Sequence, residues 1–489
     1  MKIYNGYNRL NQNYTLMTDA YEYNMAESYL RDGIDVKTAV FDIFFRKVPN
    51  DGGYAIMAGI DKIIEFIENL KFEERELDYF KRQGYTKEFI EYLRNFKFTG
   101  SIYAVPDGTP VFPNEPIVTI KAPIIEVQIL ETALLSIVNG AMEHATGARR
   151  IVEAAGKAPV MEFGARRADG LDAAIDASIY GVMAGCKGTS NVIAADMMNM
   201  KALGTMAHSY IESFDTELEA FKRFAINNPD NATLLVDTYD TLRSGVPNAI
   251  KTFEYLRDNG IKANIGIRID SGDLAYLSKE ARQMLDEAGF RDAKIVLSNG
   301  LTAEVIETLI NQGAKFDSLG VGDNISKPAG RMGCVYKEVA IENNGIFTPK
   351  IKLSNDTIKI VNPGYKKLYR VFDKNTGYAV ADVMTLYDKE INIDDLVIVC
   401  PTDRLKKTRL ENVELIELQQ TIYEDGKLVY ADPDIREKQK YCDEQMRLLY
   451  PEVRRTVQPH IYYVDGTEEY VDFKYQLIND TKEKIKMKK

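Results

Sequence analysis

The chain has 489 residues, three to four times the roughly 150 of a single domain, so two or three domains sharing a large apolar interior are expected. Hydrophobic residues make up 45% and charged residues 28%, which excludes a disordered, collagen-like or low-complexity chain. With 73 acidic against 62 basic residues the formal charge is −11, so bulk charge argues against a nucleic-acid partner, and a phosphorylated ligand must be held by a local cluster of donors.

Residues 1–125 read as an N-terminal α+β domain. Ile60, Ile63, Ile64, Ile67 and Leu70 recur at helical spacing, while Thr38 to Phe45 and Gly100 to Ile120 are rich in β-branched and aromatic residues. Val127, Leu130, Leu134 and Ile137 then mark a long amphipathic helix. Over 126–344, seven short runs, APVMEF, NVIAA, KALGT, TLLVD, NIGIRID, KIVLS and DSLGVG, alternate with amphipathic stretches. Most are one strand-helix unit apart, although KALGT follows its predecessor closely. Leu274, Leu277, Ala281, Met284, Leu285 and Ala288 form one helix face before Gly289, and Val305, Ile306, Leu309 and Ile310 another before Gly313. The expected architecture is α/β, an irregular (β/α) barrel. Tyr369 to Asp373 and Tyr378 to Asp382 flank a KNTG turn, a hairpin that, within about 345–400, is expected to complete the N-terminal sheet. Residues 401–489 are charged and Tyr-rich and read as peripheral.

Cys186, Cys334, Cys400 and Cys442 lie far apart with no CxxC pair, which suits a reducing compartment and argues against a zinc site or a disulfide framework. Three histidines are too few for a multi-histidine metal site; His144 and His460 read as structural. The start MKIYNGYNRLNQNYT lacks an apolar signal core, and no apolar run approaches 18 residues, so a cytoplasmic protein with no membrane span is expected.

A barrel gathers its chemistry where the strands end at their C-terminal side. The runs bear there Gly164, Arg166 and Arg167; Gly188, Thr189 and Ser190, which precede NVIAA; Thr205 and His208; Asp237; Arg268, Asp270 and Asp273; Ser298, Asn299 and Gly300; and Gly320, Gly322 and Asp323. Each has a bland alternative. Gly320-Val-Gly322 lacks the third glycine of a dinucleotide fingerprint and alone reads as a tight turn, an Asp ending a strand is commonly a helix cap, and one of Arg166 and Arg167 is expected to make a structural ion pair. Together they favour phosphoryl or phosphoribosyl chemistry: arginines and Gly-rich turns bind phosphate, Asp270 and Asp273 are candidates for Mg²⁺, and a histidine can accept a phosphoryl group.

The blocks LMTDAYEYNMA, FFRKVPNDGGYAIMAG, EFGARRADGLDAAIDASIYGVMAGCKGTSNV, GTMAHSYIESF, LLVDTYDT, IRIDSGDL, SNGL and GVGDNI occur in an order that resembles the nicotinate phosphoribosyltransferases, type II phosphoribosyltransferases, over most of the chain. The resemblance implies an N-terminal domain over an irregular barrel, in a homodimer with shared active sites. It implies the ATP-dependent joining of nicotinate and 5-phosphoribosyl 1-diphosphate (PRPP) into nicotinate mononucleotide and diphosphate, in NAD salvage, with Mg²⁺. Carried over by position, His208 is the phosphorylated histidine. Thr205 and Arg268 bind nicotinate, Tyr21 of the neighbouring subunit and Phe163 cover the two ring faces, and Arg166, Asp270, Ser298, Asn299, Gly300, Gly320 and Gly322 contact ribose and phosphates. In the related nicotinamide enzymes the position of Ser190 is an aspartate, so the hydroxyl here favours the acid over the amide. Asp323 stands where other members can carry a hydroxyl and is not assigned to phosphate. The competing readings are the same transfer onto nicotinamide or quinolinate, and a sugar-phosphate barrel lyase or isomerase.

Overall fold

Burial of the predicted apolar stripes organises residues 13–353 and 360–486, which the computed structural model describes; the parts of the expected terminal domains at 1–12, 354–359 and 487–489 lie outside them. The described residues divide into two units, one of 13–142, 331–353, 360–434 and 444–486, the other of 143–330 and 435–443.

The second unit carries a six-stranded sheet in the order Gly188–Thr189, Val160–Glu162, Ser318–Val321, Lys294–Ser298, Ile265–Ile269, Ala232–Leu235. Every pairing is parallel. Strands covered on both faces need near-continuous apolar runs, and Ile295, Val296, Leu297 and Ser298 are buried in succession. The helices between them bury one face each. Leu274–Glu287 turns Leu274, Ser278, Ala281 and Leu285 inward. Asp273 caps its start, accepting the Tyr276 N–H at 2.8 Å. Gly289 follows its end at φ +87°, a left-handed conformation that glycine adopts without a Cβ clash.

Two of the seven expected runs are not strands. NVIAA lies within the helix Val192–Met197, and the paired segment is the two-residue Gly188–Thr189 just before it. KALGT has no strand pairing at all. It instead bridges the opening between the two edge strands: the Leu203 N–H donates to the Thr189 carbonyl at 2.8 Å, and the Asn231 amide donates to the Gly204 carbonyl at 2.6 Å. The barrel is thus six-stranded and irregular, with an extended segment in the gap.

The first unit holds a seven-stranded sheet, Ile346–Pro349, Val335–Asn343, Thr38–Phe44, Val118–Pro123, Ser101–Ala104, Gln420–Glu424, Lys427–Leu428. The helix Ile60–Asn69 buries Ile60, Ile63 and Ile67, as its spacing predicts. The KNTG hairpin forms, as Lys366–Asp373 against Ala379–Leu386. It does not extend this sheet, because both its edges are already paired, to Val413–Glu417 and to Tyr463–Thr467, in a separate six-stranded sheet of the same unit. Residues beyond 400 are not peripheral either, since they supply strands to both sheets and bury Tyr423, Tyr470 and Val471. Tyrosine can enter a core when its hydroxyl is satisfied; Tyr423 donates to Glu68 at 2.8 Å and Tyr470 to the Pro363 carbonyl at 3.0 Å.

A buried ionic cluster joins three distant parts of this unit. Arg370, 1% exposed, forks onto Asp382 at 2.9 and 2.6 Å and reaches the Pro110 carbonyl at 2.8 Å. The Tyr462 hydroxyl donates to the same carboxylate at 3.1 Å. Burial, then the Asp382 charge, hold the neighbouring Glu115 carboxyl well above the usual range. Because the folded state keeps that proton after the unfolded chain has released its own, Glu115 costs stability as pH rises above the ordinary glutamate range. Glu115→Gln should therefore flatten this slope, raising the urea midpoint at pH 7 while changing it little near pH 4, whereas Asp382→Asn, which strands the guanidinium, should lose about 3–5 kcal/mol at pH 7. Equal losses at pH 7 would contradict the assignment of the proton to Glu115.

Candidate active site

Parallel pairing places the C-terminal end of every barrel strand on one rim, and the sequence candidates there form a continuous run of contacts. Arg268 closes the Ile265–Ile269 strand with its side chain 15% exposed. Its Nη1 donates to the Thr205 hydroxyl at 2.9 Å, its Nη2 lies 3.9 Å from Asp270, and its Nε is buried with no hydrogen-bond partner. Burial pulls the guanidinium pKa down, against the charges of Asp270 and Asp237, and the Arg166 charge adds to the depression.

Asp270 accepts a hydrogen bond from the Ser298 hydroxyl, and its N–H donates to Asp237 at 3.2 Å. The same Asp237 oxygen takes the Ser271 hydroxyl at 2.5 Å; the other, Oδ1, is buried and unpartnered. Next along the chain, Thr238 meets His208, the first residue of the short helix His208–Glu212, with 3.1 Å between its hydroxyl and Nδ1. That bond occupies Nδ1 and orients the ring. Thr205 rides on the segment that bridges the barrel opening, and His208 opens the short helix three residues later.

On the other side of Ser298, the strands approach so closely that side chains are excluded. A Cβ at Gly320 would come 2.6 Å from the Phe163 ring and 3.4 Å from Ser298, and one at Gly164 would come 2.5 Å from the Gly322 carbonyl. Gly320 is therefore required by packing under an aromatic ring, beyond any turn requirement. The Phe163 N–H donates to the Val321 carbonyl at 2.7 Å. Asn299 and Gly300 follow their strand as consecutive left-handed residues, φ +85° and +62°, both exposed. Arg167 pairs with Asp323 at 3.5 Å, and both Arg166 and Arg167 are exposed.

The remaining candidates fall elsewhere. Tyr21 is in the first unit, in the first turn of Ala20–Arg31 and 46% exposed; burial, then Glu131 and Glu22, raise its phenol pKa. Asp273 gives one carboxylate oxygen, Oδ1, to the helix cap. His144 is buried with Nδ1 3.0 Å from the Ile325 carbonyl, a structural role. Among the described residues no group of three or more His, Cys, Asp or Glu could hold a metal, and no helix is long and apolar enough to cross a membrane. Asp270 with the unpartnered Asp237 oxygen suits a Mg²⁺ ion that keeps most of its ligands from substrate and water.

Sequence reasoning passed over Glu162. It is fully buried at the end of Val160–Glu162, where its carboxylate accepts the Gly164 N–H, the Thr189 hydroxyl at 2.5 Å and the Ser178 hydroxyl at 3.0 Å. Its carbonyl takes the Ser190 N–H at 2.9 Å. The available signal was an acid closing an apolar run immediately before an aromatic and a glycine.

Three family models cover nearly the whole chain: the nicotinate phosphoribosyltransferase (NAPRTase) N-terminal domain over residues 16–139, the NAPRTase family over 159–376 and its C-terminal domain over 365–474. A nicotinate phosphoribosyltransferase of Bacillus subtilis is 42% identical over 96% of each chain, and one of Caenorhabditis elegans is 35% identical over 94% of this chain and 93% of its own. The crystal structure of human nicotinic acid phosphoribosyltransferase superposes with a TM-score of 0.82 at 26% identity, covering 94% of this chain and all of the other. The rim geometry and these likenesses agree, and the chain belongs to the nicotinate phosphoribosyltransferase family.

Proposed function

We propose that the protein joins nicotinate to PRPP, giving nicotinate mononucleotide and diphosphate, and couples the transfer to ATP through a phosphohistidine at His208. The observation that carries this reading is the unbroken rim from Phe163 and Gly320 through Ser298 and Asp270 to Arg268 and Thr205, with His208 joined to it through the adjacent Thr238 and Asp237.

The pyridine nitrogen attacks C1 of the ribose, the C1–N bond forms, and the C1–O bond breaks with its electron pair leaving on diphosphate. The transition state resembles an oxocarbenium ion, so fixed donors for the leaving group matter more than activation of the nucleophile. Arg166 and the N–H groups at Asn299 and Gly300 supply donors. Mg²⁺ held by Asp237 and Asp270 adds positive charge there when bound. Arg268 and Thr205 receive the ring carboxylate, a planar guanidinium matching a planar acid. Phe163 covers one ring face, and Tyr21 of a second copy the other, in a cytoplasmic homodimer. His208 accepts the terminal phosphoryl of ATP on Nε2: an N–P bond forms, the P–O bond breaks and ADP leaves. The added charge then orders the diphosphate side of the site.

The acid is favoured over the amide by Ser190, a hydroxyl that does not repel a carboxylate, and by the partly desolvated Arg268. An assay with nicotinate, nicotinamide and quinolinate, each with and without ATP, tests the reading; absence of nicotinate-stimulated ATP hydrolysis would refute it. His208→Ala should keep weak transfer and lose ATP enhancement, and full enhancement in that variant would remove His208 from the mechanism. Arg268→Ala should raise KM for nicotinate roughly ten- to hundredfold, the worth of about 1.5–3 kcal/mol for a charge-assisted bond, with a much smaller change for PRPP. Gly320→Ala should displace the Phe163 ring and weaken nicotinate binding while the melting temperature falls only modestly; unchanged binding would show that the ring takes no part.

A further inference from the structure

We propose that Glu162 is a positioning residue that sets nicotinate affinity by holding Phe163 and Ser190 in a single geometry, a proposal that rests on the substrate reading above. A fully buried acid must find donors, and those of Glu162 come from three separate segments: Gly164 in its own turn, Ser178 on the helix Leu171–Met183, and Thr189 on the neighbouring strand. Two assigned substrate groups hang directly from this node. Phe163 is the link between Glu162 and the bonded Gly164, and Ser190 follows the bonded Thr189 and gives its own N–H to the Glu162 carbonyl. A shift of the carboxylate therefore moves the aromatic cover and the hydroxyl together.

The donors are not equivalent. Ser178 has one proton and a second acceptor, the Ala174 carbonyl at 2.9 Å, so its bond to Glu162 is dispensable. The Gly164 N–H cannot reverse its polarity, and no side chain fits at that position. A hydroxyl at 189 can reverse. Glu162→Gln can thus keep its oxygen on the Gly164 N–H and present its amide to a rotated Thr189 hydroxyl, and should be mild. Thr189→Val keeps the shape but deprives the carboxylate of a donor, and Thr189→Ser restores one.

The experiment measures steady-state kinetics for both substrates, the nicotinate-to-nicotinamide preference and the melting temperature in full-length Thr189→Val, Thr189→Ser, Glu162→Gln and Glu162→Leu. Thr189→Val should raise KM for nicotinate about five- to tenfold and lower the acid preference, with kcat and KM for PRPP within about twofold. Thr189→Ser and Glu162→Gln should lie close to the parent, and Glu162→Leu should be the most impaired if it folds. Unchanged nicotinate KM in Thr189→Val, or parallel loss of both substrates with the melting temperature, would overturn the proposal. A parent protein inactive toward nicotinate would instead sink the substrate reading.

Discussion

Parallel strand direction is the constraint from which the site follows. A sheet whose every pairing is parallel puts all its strand C-termini on one edge, so residues as far apart as Phe163 and Gly320 meet without any long loop. The same direction sense creates the difficulty that the bridging segment solves. Six strands leave Gly188–Thr189 and Ala232–Leu235 unpaired on their outer edges, and a barrel left open there would expose backbone groups beside the site. Residues 203–205 cover that opening with bonds to Thr189, Asn231 and Arg268. The irregular stretch thus also carries Thr205, the hydroxyl that Arg268 contacts.

The electrostatics of the rim are balanced within it. Arg268 is desolvated, which alone is unfavourable, and Asp237 and Asp270 offset that cost in the free protein. The two acids also tie the rim together, through the Asp270 N–H and the Ser271 and Ser298 hydroxyls. On the reading proposed above, a nicotinate carboxylate arriving at Arg268 enters a field already carrying the charges of Asp237 and Asp270. Its binding has to draw on the second arginine, Arg166, whose charge already reaches Arg268, and on positive charge brought with the diphosphate. This gives a physical reason for substrate binding to depend on what occupies the phosphate side.

Where the sequence was legible, one pattern dominated locally. NIGIRID, KIVLS and DSLGVG became strands, short apolar runs bounded by polar residues at one strand-helix spacing, and the helix over Leu274–Glu287 announced its stripe and its terminal glycine. Where it was not, length or partnership decided. Gly188–Thr189 is too short to show a period, so the apolar NVIAA beside it drew the strand assignment that a helix in fact occupies. The hairpin at KNTG was readable from its turn, but which sheet receives it depends on Val413–Glu417 and Tyr463–Thr467, far along the chain. Asp273 and Asp270 looked alike as acids after one strand; only the cap bond to Tyr276 separates them.

Glu162 shows why a charge inside an apolar run is easily misread. In a half-exposed strand an acid faces water, and its pattern carries no functional content. Here both faces are covered, so the carboxylate has to be matched by donors fixed in place, and Gly164, the residue that supplies the irreversible one, is also the residue that lets the turn approach Gly322. The Cys186 thiol registers the charge at a distance, its pKa raised by burial first and by Glu162 next. Since the carboxylate is already surrounded by its own donors, it has little accepting capacity left for a ligand's amide. On the proposed reading, what the ring meets there is the Phe163 face and the Ser190 hydroxyl, groups that tolerate a ring acid and give a carboxamide no charged acceptor.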